Sequence, residues 1–142
     1  MEDVHEETER TAALIHTVVV HAIAFLGLSV VYMNRMSGWI GGPLVFLITA
    51  ALIFEYLDQA DLTIPVRMLY GLLSGGVMVL ALLAVSWWPT YGWTGGAALL
   101  IVFYILASMC TARGAGRSVR ERDLFEYAGI FLIGMIVLAF TV

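Results

Sequence analysis

Two histidines fall inside a long apolar run near the start of the chain, and they are the side chains best placed for chemistry. His16 and His21 sit within Ala12 to Met33, where Thr17, Ser29 and Tyr32 are the only other interruptions. An ionisable group inside such a run is a candidate proton carrier, metal ligand or counter-charge, because burying it in an apolar medium is costly. A spacing of five sets the two rings about 140° apart on a helix, so they cannot grip one metal ion or haem together. His5 is the third and last histidine, so a bis-histidine haem would have to take His21 from two chains. The expectation that demands least is a neutral imidazole hydrogen-bonded to a neighbouring helix, with a proton relay as the alternative.

Glu55 lies at the end of the second apolar run, with Tyr56 beside it and Asp58 three residues on. A carboxylate at that depth can carry a proton or cation. It can also pair with Arg67 at the start of the third run, and that structural pair is the expectation. Two neighbouring carboxylates make no hydrolase without a nucleophile or metal, and none is visible. There is no lysine, which removes Schiff-base chemistry and the P-loop lysine. Gly114–Ala115–Gly116–Arg117 lacks the glycine spacing of a phosphate loop. Cys110 is the only cysteine, so neither an intrachain disulfide nor a CxxC motif exists. No catalytic residue, metal or cofactor is assigned.

Two groups of residues suit contact rather than catalysis. Gly71 and Gly75 form a GxxxG, the spacing at which helix backbones approach closely, either within one chain or between chains. Arg113, Arg117, Arg120 and Arg122 form a short basic cluster tempered by Glu121 and Asp123. Such a cluster suits anionic lipid head groups or a partner protein. It is too small a patch to expect nucleic acid. The acidic leader, with Glu2, Asp3, Glu6, Glu7 and Glu9, is expected to dock against it.

The elements that must position these residues follow from composition. The 142 residues are 61% hydrophobic and 13% charged, against about 45–50% and about 25% in soluble domains. Runs of about 18 or more apolar residues with few charges read as bilayer spans. The chain reads as an all-α, polytopic integral membrane protein, a bundle of five transmembrane helices over about residues 12–33, 40–57, 65–88, 93–111 and 124–142. An acidic leader, residues 1–11, continues into the first helix, which is expected to begin near Val4, with Glu6 and Arg10 as an i,i+4 pair. Pro43 and Pro65 belong to first turns. The leader opens with acids, unlike a signal peptide, and the fifth span is expected to leave no C-terminal tail.

Orientation follows from arginine counting. Arg10, Arg67, Arg113, Arg117, Arg120 and Arg122 fall on one face and Arg35 alone on the other, so the N-terminus is expected in the cytoplasm and the C-terminus outside. All eleven acids share the arginine-rich face, and the opposite face is built of tryptophan, tyrosine and glycine. The lysine-free, acidic composition, with pI near 5.2, suggests a prokaryotic, haloarchaeal or otherwise halophilic source.

The functional expectation is a non-catalytic structural or accessory protein of the cell membrane, or of a virion membrane derived from it. It would act by helix packing within a larger assembly, with lipids and other membrane subunits or copies of itself as partners. The alternatives are a small homo-oligomeric channel or transporter, lined by His16, His21, Glu55, Tyr70 and Ser74, and a membrane anchor for electron transfer.

Overall fold

A computed structural model describes residues 2–35, 38–89, 92–114, 116 and 120–141. They form five α-helices: α1 Glu2–Met33, α2 Gly38–Tyr56, α3 Ile64–Ser86, α4 Trp93–Gly114 and α5 Glu121–Thr141. All five are long and apolar enough to cross a membrane. Continuous helix is the conformation that satisfies every backbone group internally where water is absent. At 32 residues α1 reaches about 48 Å, against about 30 Å for a hydrocarbon core. The surplus is its acidic end, helical from Glu2 and exposed from Asp3 onward. The anticipated Glu6–Arg10 pair does not form.

Helix ends follow local chemistry. A 3-10 turn, Leu57–Ala60, and a left-handed Asp61 close the link from α2 to α3. Thr63 in extended conformation and Pro65 in the first turn open α3, where a missing N–H costs no bond. Pro43 departs from expectation: α2 starts at Gly38, so the proline lies inside the helix and its first turn is Gly38 to Gly41. Arg120 and Asp123 open α5, with the Asp123 carboxylate accepting the Arg120 backbone N–H at 3.2 Å.

Four helices close a ring. The most extensive contact is α2 on α3, followed by α1 on α4, and α1 on α2 and α3 on α4 complete the circuit. The centre is filled by Leu28, Val45, Ile53, Leu57, Met78, Leu99 and Phe103, all fully buried. α5 stands outside and packs chiefly on α4. None of its described residues is buried. One end of the bundle carries the N-terminus, the α2–α3 turn and most arginines. The other carries the tryptophans and Arg35.

Candidate functional site

Arg67 is the most constrained charged group. Its Nη1 donates to Asp58 Oδ1 at 2.6 Å, while Nε and Nη2 donate to the Phe54 carbonyl at 3.2 and 2.8 Å. The guanidinium lies over the Phe54 ring, 4.2 Å from its centre. This corrects the expected Glu55–Arg67 pair. Phe54 and Asp58 share a helical face at i,i+4, whereas Glu55 is turned about 100° away. The Phe54 carbonyl belongs to the last turn of α2, where no intrahelical partner remains. Arg67 caps that turn from the next helix, a favourable place for a cation at the negative end of a helix dipole. The residue is 8% exposed.

Glu55 instead faces α1. Its Oε1 lies 3.9 Å from His16 Nε2, beyond hydrogen-bond reach. His16 Nδ1 is buried without a hydrogen-bond partner. His21 lies deeper. Its Nδ1 is 2.8 Å from the Thr17 carbonyl, which can only accept, so Nδ1–H is the donor. The hydrogen bond is therefore within α1 and not to a neighbouring helix as anticipated. The neighbours supply rings: Phe103 at 5.4 Å, and Tyr56 and Tyr104 at 5.8 Å, with the first two edge-on. Nε2 is buried among them without a hydrogen bond. Among the described residues no three His, Cys, Asp or Glu side chains converge on a metal position.

The glycine pair packs within the chain. A Cβ on Gly71 would stand 2.8 Å from the Ala50 carbonyl oxygen, and one on Gly75 would stand 2.9 Å from the Phe46 ring. Both rest on α2, which accounts for the extent of the α2–α3 contact. Gly95 and Gly96 similarly seat α4 on Tyr32 and Ser29 of α1. Ser74 Oγ and Cys110 Sγ, 3.4 Å apart, link α3 to α4.

Of the arginine cluster, Arg113 closes α4, and Arg113, Arg120 and Arg122 are exposed. Arg117 lies outside the described residues. No ion pair joins Arg113, Arg120 or Arg122 to the acidic leader among the described residues. Glu6, Glu9 and Arg10 instead line a shallow depression with Gln59 of the α2–α3 turn.

Residues 1–141 match the family described as protein of unknown function DUF5656. The chain belongs to the DUF5656 family. No curated protein and no solved structure matches it. A cleft of about 820 Å³ lies at the tryptophan end of this DUF5656 protein, between the ends of α1 and α3 and the start of α2. Trp39, Trp87, Trp88 and Arg35 line its mouth, and Val79, Leu82 and Leu83 its wall. The sequence signals the ingredients, a lone charge among aromatics. It does not signal that segments about 50 residues apart meet around one space.

Proposed function

We propose that this DUF5656 protein is a non-catalytic membrane subunit that works by packing against other membrane-spanning chains, in a cell membrane or a virion membrane derived from one. The observation that carries this reading is α5. A long apolar helix with no buried residue among those described leans chiefly on α4, and Ile133, Val137 and Phe140 form an exposed stripe at i, i+4 and i+7. In lipid, helices associate through close packing and not through hydrophobicity as such. A stripe of this kind is suited to another apolar helix. Arginine counting supports a cytoplasmic N-terminus and an external C-terminus.

The test is native mass spectrometry of the full chain extracted from its own source in mild detergent, with an absorption spectrum alongside. The expected result is a complex of fixed stoichiometry that is lost in an Ile133→Trp, Val137→Trp variant whose helix content is unchanged. A lone monomer, or a complex indifferent to those substitutions, overturns the reading.

A second reading, a homo-oligomeric channel, draws on the buried polar atoms without hydrogen bonds: His16 Nδ1, His21 Nε2, Ser29 Oγ and Thr49 Oγ1. Against it stands the filled centre of the four-helix ring. A symmetric homo-oligomer whose ion flux falls on His21→Phe substitution would favour it, and a visible absorption band would favour an electron-transfer anchor.

A further inference from the structure

Opposite charges stand unpaired at the arginine-rich end of the bundle. Asp3, Glu6, Glu7 and Glu9 of α1 are exposed, as are Arg113, Arg120 and Arg122 beside the link from α4 to α5. Among the described residues none of them is in an ion pair. α1 belongs to the four-helix ring while α5 stands outside it on α4, and no extensive contact joins the two within one chain.

Both helices begin at that end, so copies inserted the same way present α1 and α5 in parallel. On α1, Glu7, Leu14 and Val18 share a face at i, i+7 and i+11. Leu14 and Val18 are 61% and 66% exposed. On α5, Arg122, Gly129 and Ile133 repeat that spacing. Ile133 is 64% exposed, and a Cβ on Gly129 would have nothing within 4 Å. The open face of α5 therefore carries a notch, the feature that lets a second helix approach closely in lipid. The levels also agree. Glu7 lies three residues before Arg10, the last Asp, Glu or Arg ahead of the apolar part of α1, and Arg122 lies four before Glu126, the last in α5. A two-fold contact of α5 with α5, or of α1 with α1, sets each residue level with its own copy. That places Arg122 near Arg122 or Glu7 near Glu7, and like charges brought together disfavour a contact. Setting α1 against α5 brings opposite charges level instead.

We propose that the open face of α5 receives α1 of a second copy, with Leu14 seated over Gly129 and Glu7 paired with Arg122. This rests on the reading of the chain as a packing subunit and names its partner. The two faces differ and every copy carries both, so the contact builds rings or rows in the plane of the membrane.

Val18→Cys and Ile133→Cys place thiols at matching levels on the two faces, while the native Cys110 is buried. The two variants, full-length and differently tagged, are mixed in phosphatidylcholine bilayers and oxidised with copper phenanthroline. The mixed disulfide dimer is expected about fivefold above its share from random pairing, the upper range for an exposed ion pair. Arg122→Glu in the Ile133→Cys chain should remove the excess, and Glu7→Arg in the Val18→Cys chain should restore it. Gly129→Leu fills the notch and should remove the mixed dimer with helix content unchanged. Yields at the random share, an excess of either self-dimer, an excess indifferent to Gly129→Leu, or no recovery with Glu7→Arg overturns the proposal. If native mass spectrometry then still finds the chain in a fixed complex with other polypeptides, the packing reading stands and its partner is not a second copy. A lone monomer overturns both.

Discussion

At the scale of single residues, what a charged group does here is decided by the backbone it can reach. Arg67 satisfies a carbonyl that α2 leaves open, so its removal exposes an unpaired acceptor at a buried helix end. Leaving such a group unsatisfied costs about 1–3 kcal/mol. Arg67→Gln should lower the unfolding free energy in detergent by about that amount. Glu55→Gln should change it by less than about 0.5 kcal/mol, since Glu55 is largely exposed and its nearest charge partner is beyond hydrogen-bond reach. Equal losses from the two variants would restore the Glu55–Arg67 pairing expected from chain position. The sequence shows both carboxylates near Arg67. Only the rotation of α2 separates them, and that rotation is set by which face packs on α3.

At the scale of elements, close backbone approach explains why α2 and α3 form the tightest pair. Gly71 meets the Ala50 carbonyl oxygen, a backbone atom that cannot swing aside, whereas Gly76 has nothing within 4 Å of where a Cβ would stand. Gly71→Ala should therefore destabilise the α2–α3 contact by about 1–3 kcal/mol, the usual cost of overpacking. Gly76→Ala, five residues along the same helix, should be neutral or slightly stabilising, because alanine is the better helix former by about 1 kcal/mol. Thermal unfolding of the two variants side by side checks this. If both are neutral, the small residues of α3 do not face α2. The GxxxG is legible as a motif, but its partner is not, since a small-residue stripe fits a helix of its own chain or of another equally well.

At the scale of the molecule, four helices share one core and the fifth is an outlier. If the five helices cross as proposed, with the N-terminus inside, the residues after α5 lie outside. A reporter fused after Val142 should be active only if it reads the external compartment. A cytoplasmic signal would remove the fifth crossing. Such a result would bear first on α5, because it packs chiefly on one neighbour and none of its described residues is fully buried.

The sequence by itself determined the class of the protein. Long apolar runs of about 20 residues, broken by prolines, glycines and short polar links, favour helices that satisfy the backbone within each run, so the order and approximate length of the described helices follow from local composition. Hydropathy says how deep a residue lies but not which way it points. Spans that are apolar all round carry no stripe to mark their inner face. Tertiary structure therefore decided the rest: that Arg67 caps α2, that His21 bonds its own helix among three rings, that α5 stands apart, and that Arg35 and the tryptophans of two distant turns surround one cleft. Each depends on helix rotation and adjacency, which arise from the shapes of small residues meeting across interfaces.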